Sequence, residues 1–220
     1  GMVRDVLGSD AEVISGDEEA TLSFVGAVGD LDPADGPFVV VDVGGGSTEL
    51  VVGDLSDDGT ATVRAARSVD VGSVRLTERC LPGDPPSADD VTAARSVAAG
   101  ILDEAFAAVP LDGAKTWVGV AGTITTLSGI AQDLPEYDPS AVHLSRLSRA
   151  DLQALSHRLV TSTRPEREAM GALHPGRVDV IAAGSIIVSV LADELAARTG
   201  IEEIVVSEHD ILDGIARSIA

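Results

Sequence analysis

The stretch FVVVDV-GGG-STELVVG, residues 38–53, decides the fold. Its first six residues form a nearly continuous β-branched run, which is typical of a strand covered on both faces. Three glycines at positions 44–46 end this run, and residues 47–53 resume as a second strand. Because so short a turn brings two strands together antiparallel, the stretch predicts a β-hairpin.

Working outward from this hairpin, the pattern predicts a mixed α/β sheet with helices on both faces and the order β-β-β-α-β-α-β-α from residue 38. The predicted strands are residues 11–15, 38–43, 47–53, 61–71, 115–120 and 203–207. Ser87 with Asp90, and Ser148 with Asp151, have the spacing of capping pairs that open helices. Residues 178–197 are apolar almost all round, which predicts the central helix of the core.

The composition excludes several classes of protein. Among 220 residues, 36 are acidic and 15 are basic, which gives a net charge of −21. Such a charge argues against a nucleic-acid polymer or an anionic lipid surface as partner. An anionic substrate therefore needs backbone amides or a metal ion to overcome the overall repulsion. With 45% hydrophobic residues, one cysteine and no apolar run of about 20 residues, the sequence predicts a soluble cytoplasmic protein that does not bind to membranes.

The glycine turn carries the strongest chemical signal. Gly44, Gly45 and Gly46 are expected to adopt φ values closed to other residues, and their bare amides can approach an anion closely. Ser47 and Thr48 add hydroxyl donors. Asp42 and Glu49 flank the turn, and paired carboxylates suit a hard cation such as Mg²⁺. The alternative is a glycine-rich hairpin with solvated acids.

A second candidate lies where the strand at 115–120 enters a helix through small residues. Amides at Gly122 and Thr123 would attract phosphate at the start of this helix. Small residues also permit close packing of helix on strand, so that alternative stays open.

Charged and metal-binding side chains are less informative. Arg75, Arg167 and Arg177 are able to bind phosphate bidentately, although a structural ion pair is the commoner role. The histidines share no spacing typical of a zinc site, and the one at 209, beside two acids, is interpreted as part of a solvated turn.

The ordered series of motifs strongly resembles the exopolyphosphatase / guanosine pentaphosphate phosphohydrolase family over nearly the whole chain. The matching segments are 15–20 (SGDEEA), 41–50 (VDVGGGSTEL), 71–78 (VGSVRLTE), 121–127 (AGTITTL), 137–139 (YDP), 142–143 (VH), 166–167 (ER), 175–181 (PGRVDVI) and 206–207 (VS).

The resemblance implies a fold, an activity and a set of roles. The family belongs to the actin/sugar-kinase/Hsp70-like superfamily, in which two ribonuclease-H-like halves face each other across a cleft. The implied reaction is Mg²⁺-assisted removal of a terminal phosphate from inorganic polyphosphate or guanosine pentaphosphate. Glu19 would activate the attacking water, and Asp42 and Glu49 would serve the metal and the scissile phosphate. Gly44 to Thr48 would hold phosphate oxygens.

Two departures from the family pattern shape the expectations. No Asp-x-Gly-Thr/Ser-Asn-Ser loop precedes Ser15, so residues 1–36 are expected to be the remnant of a first half and residues 37–220 the second ribonuclease-H-like domain. The chain is accordingly expected to be a fragment with little activity by itself. A homodimer formed through the face that the first half would cover is a further possibility. The family's closing Gly-Leu-Arg-Glu-Gly stretch is Asp-Ile-Leu-Asp-Gly at 210–214, without the arginine. An ATP-binding kinase or ATPase of the same superfamily, or a non-catalytic domain that binds an anion or a partner, remains as an alternative.

Overall fold

The structure is a computed structural model that describes residue 8 and residues 14–218. Its centre is a six-stranded sheet in the order β3-β2-β1-β4-β6-β5. The strands are β1 (Phe38–Val43), β2 (Thr48–Leu55), β3 (Ala61–Val69), β4 (Thr116–Val120), β5 (Arg146–Ser148) and β6 (Glu203–Val206). β1, β4 and β6 are parallel neighbours, whereas β2, β3 and β5 join antiparallel. The predicted mixed sheet is therefore confirmed.

Nine helices accompany the sheet within the described residues. They are α1 (Gly16–Val28), α2 (Ser73–Cys80), α3 (Ala88–Ala108), α4 (Ala121–Ala131), α5 (Pro139–Val142), α6 (Arg149–Thr161), α7 (Arg164–Glu168), α8 (Ile181–Thr199) and α9 (Ile211–Ser218). Short 3₁₀ turns occupy Pro33–Asp35 and Pro175–Arg177. Both predicted capping pairs are complete capping boxes, at Ser87 with Asp90 and at Ser148 with Asp151. The predicted strand at 11–15 lies almost wholly outside the described residues.

The sheet separates two hydrophobic clusters because successive strand residues face opposite sides. Val39, Val41 and Val43 of β1 face a large cluster formed with α2, α3, α4, α6 and α8. Phe38 and Val40 face a smaller cluster that contains Phe24, Ala27 and Val28 of α1. Helices thus cover both faces, and β1 lies buried between them, as its sequence predicts.

Two glycines set the contact between α1 and α9. A Cβ at Gly26 would lie 1.8 Å from the Asp210 carbonyl oxygen, and a Cβ at Gly214 would lie 1.9 Å from that of Leu22. Neither position accepts a side chain, so the two helix backbones touch directly. This contact places the start of α9 against the same face of the sheet as α1.

Some elements differ from the predicted order. The three-residue edge strand β5 and the short helices α5 and α7 are additional, because such short pieces carry too few residues to show a period. On α3, Leu102 is buried and its neighbour Ile101 is only partly buried. In the described part of the chain, no helix combines the length and the apolar character that crossing a bilayer requires.

Candidate active site

The glycine turn between β1 and β2 is held through its carbonyl groups. The Gly44 amide donates to the Ser47 carbonyl across the turn at 3.0 Å. The three glycine carbonyls all accept hydrogen bonds from the first residues of α2. These bonds join Ser73 N to Gly44 O at 2.9 Å, Val74 N to Gly45 O at 2.9 Å, Arg75 N to Gly45 O at 3.1 Å and Arg75 Nε to Gly46 O at 3.0 Å. Three consecutive peptide planes are therefore fixed from one side.

The N–H groups of the same three peptides have no partner in the described part of the chain. The amides of Gly45, Gly46 and Ser47 donate to no group among the described residues. Because the N–H and C=O of a trans peptide point in opposite directions, these amides face away from α2. Such a row of unpaired backbone donors is able to bind an anion.

The backbone conformation of the turn does not by itself require glycine. None of the three has a positive φ, so the expectation of φ values closed to other residues is wrong. A Cβ would also meet no protein atom closer than 3.2 Å at any of these positions. Within this chain alanine would fit at Gly44 and Gly46, and at Gly45 the Val74 side chain would have to move by a few tenths of an ångström. Close approach by a ligand as the reason for the glycines stays a prediction.

Asp42 and Glu49 lie side by side next to the turn. They are directly paired residues of β1 and β2, and they share the sheet face of Val40 and Val51. Ser68, opposite Glu49 on β3, donates its hydroxyl to Glu49 Oε1 at 2.7 Å. Like charges directly opposite each other on a sheet repel, and a cation between them would relieve that repulsion.

The electrostatics of Asp42 confirm this crowding. Burial, and after it the charges of Glu49 and Asp210, together raise the pKa of the Asp42 carboxyl to about 6. Asp210 precedes α9 just after β6, so it reaches the edge at which the parallel strands β1, β4 and β6 end. Two oxygen-rich acids with an unfavourable negative charge fit a hard divalent cation such as Mg²⁺.

The second predicted phosphate segment shares a cavity with the first. A cavity of about 240 Å³ is lined by Gly44 and Gly45, by the start of α2, by Gly122 and Thr123, and by Arg177. Helix α4 begins here without a side-chain cap, so its first amides remain available. The Arg177 guanidinium lies directly on Gly122, where a Cβ would come within 1.9 Å of Nη2, and Nη1 donates to the Thr126 hydroxyl at 3.0 Å.

Ala121, the first residue of α4, has a φ of 68°, in the left-handed region. This conformation costs an alanine about 1–2 kcal/mol. Strain of this kind is concentrated at functional sites, where the surrounding structure holds it in place.

Other predicted site residues are placed differently. The Thr48 side chain is buried and its hydroxyl donates to the Val71 carbonyl at 2.6 Å, so that hydroxyl is not available to a phosphate. Glu19 lies exposed in the first turns of α1, and none of the described contacts joins it to Asp42 or Glu49.

The three candidate arginines have three different environments. Arg167 is buried and bonds the carbonyls of Val178 and Ser162 as well as Asp84, which makes it a structural residue. Arg75 is exposed beside the glycine turn. Arg177 lines the cavity, so it is the arginine best placed to meet an anion.

Two groups near the site were not among the predicted site residues. Tyr137 donates its hydroxyl to Glu208, and burial together with that bond raises the pKa of Tyr137 to about 12. Asp210 acts on Asp42 although 168 positions separate them in the printed sequence. The signal that could have found Asp210 is the rule that parallel strands end at the same edge of a sheet.

Comparison with known proteins identifies the family. The sequence profile described as the Ppx/GppA phosphatase family matches residues 1–219. The chain belongs to this family. It is 54% identical over 224 aligned residues to exopolyphosphatase 2 of Mycobacterium tuberculosis, covering all of this chain and 68% of that protein.

Further relatives agree with this assignment. A guanosine-5'-triphosphate,3'-diphosphate pyrophosphatase of Photobacterium profundum is 31% identical over 156 residues, covering 70% of this chain and 29% of that protein. Among solved structures, an exopolyphosphatase-like protein superposes with a TM-score of 0.87 at 40% identity, over 99% of this chain and 70% of the other. The Ppx/GppA family member of Aquifex aeolicus gives a TM-score of 0.84 at 28% identity, over 99% and 66%. The fold and the family inferred from the motifs are thereby confirmed.

Proposed function

We propose that this chain takes part in hydrolysing the terminal phosphoanhydride of inorganic polyphosphate or guanosine pentaphosphate. The observation that carries the proposal is the row of three unpaired amides, at Gly45, Gly46 and Ser47, next to the paired carboxylates of Asp42 and Glu49. Phosphoryl transfer needs a site that binds anionic oxygens and neutralises their charge. The names of relatives in Mycobacterium and Photobacterium support these two substrates.

Binding of the substrate rests on backbone and arginine donors. With a net charge of −21 the molecule repels polyanions, so affinity requires local positive potential. The three turn amides and the uncapped start of α4 supply partial positive charge without a counter-ion. Arg177 adds a planar pair of donors that fits a phosphate, and Arg75 lies at the rim of the turn.

Asp42 and Glu49 would hold a Mg²⁺ ion, whose charge would offset that of the phosphoryl oxygens. We assign Glu19 as the general base that takes a proton from the attacking water. The turn amides would stabilise charge that develops on the phosphoryl oxygens as the bond to the leaving phosphate breaks.

The test measures binding of tripolyphosphate by calorimetry and release of phosphate, both with and without Mg²⁺. Gly122→Ala should displace Arg177, because its Cβ would occupy the guanidinium position, and should weaken binding about tenfold or more without unfolding the chain. Glu19→Gln should abolish phosphate release and leave binding intact. Asp57→Asn, at the exposed tip between β2 and β3, is the matched control.

Tripolyphosphate binding that is unchanged in Gly122→Ala and independent of Mg²⁺ would contradict the proposal. The rate of phosphate release by the 220-residue chain tests the expectation that it turns over slowly by itself. The division of the chain at residue 36, a cytoplasmic location and a homodimer stay predictions.

A further inference from the structure

One carboxylate and two imidazoles meet on the α1/α9 side of the molecule, apart from Asp42 and Glu49. Asp30 follows α1, His143 follows α5, and His209 lies between β6 and α9. One ligand atom from each lies within 4.8 Å of the other two. Both imidazoles approach the same carboxylate oxygen, since Asp30 Oδ2 is 3.4 Å from His143 Nε2 and 2.6 Å from His209 Nδ1. The two rings are tilted by 39° with centroids 4.4 Å apart.

His209 Nδ1 is an unsatisfied buried atom. It is shielded from solvent and, despite its short distance to Asp30 Oδ2, forms no hydrogen bond of acceptable geometry with any of the described residues. A buried polar atom without a partner requires an explanation, and an ion is one of the few available. The His209 side chain as a whole is 35% exposed, so the interpretation of His209 as part of a solvated turn stays a prediction.

The other contacts of Asp30 orient its carboxylate towards the two histidines. Arg217 Nη2 binds Asp30 Oδ1 at 2.8 Å, which fixes the carboxylate and leaves Oδ2 facing the two histidines. A charged, oriented carboxylate held by an outer hydrogen bond is the usual arrangement around a bound metal.

The geometry points to a second metal site, in which Asp30, His143 and His209 bind a transition cation of the Zn²⁺ type. Two imidazoles and one carboxylate suit Zn²⁺, Co²⁺, Ni²⁺ or Cu²⁺, whereas Mg²⁺ prefers ligands that are all oxygen. Three protein ligands leave a further coordination position open to water. The site is thus chemically distinct from the oxygen donors of Asp42 and Glu49.

Binding rearranges one proton. His143 Nδ1 accepts a hydrogen bond of 3.3 Å from the Glu208 amide, which places the ring proton on Nε2 in the metal-free protein. When the cation takes Nε2, that proton moves to Nδ1 and the long bond from Glu208 is lost. The number of protons on the neutral ring is unchanged.

The cation would join three segments that are distant in sequence. It would fix the end of α1, the loop before β5 and the turn before α9 to one another. His209 adjoins Asp210, whose charge acts on Asp42. A bound cation would therefore also hold the acid that lies beside the candidate active site.

The experiment titrates the metal-free chain with Zn²⁺ by calorimetry and loads it with Cu²⁺ for electron paramagnetic resonance. We expect one Zn²⁺ per chain and nitrogen hyperfine splitting from two imidazoles. His209→Ala and His143→Gln should each weaken binding more than 100-fold, because loss of an outer partner alone costs 10–100-fold. Arg217→Gln, which removes only an outer partner, should weaken binding about tenfold.

Matched controls separate this site from others. His157→Ala, on the exposed side of α6, should leave Zn²⁺ binding unchanged, as should the double variant Asp42→Asn/Glu49→Gln. Wild-type binding no tighter than that of folded His209→Ala and His143→Gln chains, or a Cu²⁺ spectrum without nitrogen splitting, would overturn the proposal. Far-UV circular dichroism verifies that each variant is folded. Phosphate release enters none of these readouts, so the result is independent of the proposed enzymatic function.

Discussion

Replacing Asp42 by asparagine should make the metal-free protein more stable. The side chain keeps its size, but the charge that is unfavourable beside Glu49 and Asp210 is removed. A rise in pKa from 3.8 to about 6 corresponds to about 3 kcal/mol of destabilisation once the carboxyl is ionised. For a domain of this length that is a rise in Tm of roughly 6–12 °C.

The sign and pH window follow from the direction of the shift. The native state holds the Asp42 proton more tightly than the unfolded chain does, so wild-type stability falls as pH rises from 3.8 through about 6. The difference in unfolding free energy between Asp42→Asn and wild type should therefore be near zero below pH 3.8 and reach its full size above about pH 6. Glu49 and Asp210 remain in both proteins, so the difference isolates Asp42.

The assay is urea unfolding followed by circular dichroism across this pH range, with a chelator present. Asp57→Asn, at an exposed loop tip, is the control and should show no such difference. Saturating Mg²⁺ should then raise the Tm of wild type more than that of Asp42→Asn, because a cation that binds only the folded state stabilises it. A variant no more stable than wild type well above pH 6, or a gain that persists below pH 3.8, would refute the reasoning.

Three further substitutions test features of the fold. Arg167→Ala should lower the free energy of unfolding by about 3 kcal/mol, measured by urea titration. The substitution removes a buried guanidinium that donates to two carbonyls and to Asp84. In the folded protein it should leave the affinity for phosphate unchanged. Ala121→Gly should stabilise by up to about 1 kcal/mol in thermal unfolding, because glycine accepts the φ of 68° without strain; a loss of stability would mean that the strain is absent. Gly26→Ala should destabilise by about 1–3 kcal/mol or more in the same measurement, since its methyl group would overlap the Asp210 carbonyl, whereas Gly100→Ala, with open space around it, should be neutral or stabilising.

Much of the fold could be predicted because local pattern and tertiary role agree. The β-branched run of β1 reflects burial on both faces, and each Ser–Asp pair at a helix start forms the capping box that its spacing indicates. These features depend on neighbours within a few positions. The order of the sequence motifs along the chain then identified the family, which no single motif could have identified.

The site was predicted less completely because its chemistry depends on contacts that are distant along the chain. The adjacency of Asp42 and Glu49 follows from the hairpin register, but the partner of the Thr48 hydroxyl, Val71, lies beyond the next strand. The glycine turn looked conformationally special from its composition, yet its φ values are ordinary. His209 was not predicted as a ligand because Asp30 and His143, which lie beside it in the fold, are distant from it along the chain.

The way in which α2 holds the glycine turn has a consequence for how the anion site is tuned. Each carbonyl that accepts from α2 belongs to the same peptide unit as one of the outward N–H groups, and hydrogen bonding at one end of an amide polarises the other. The positive potential at the start of α2 therefore polarises three peptide groups, whose N–H donors the helix does not contact. Substitutions on the α2 side of the turn can therefore change the acidity of these N–H groups, and so the affinity for an oxyanion, without changing any atom that the oxyanion would contact.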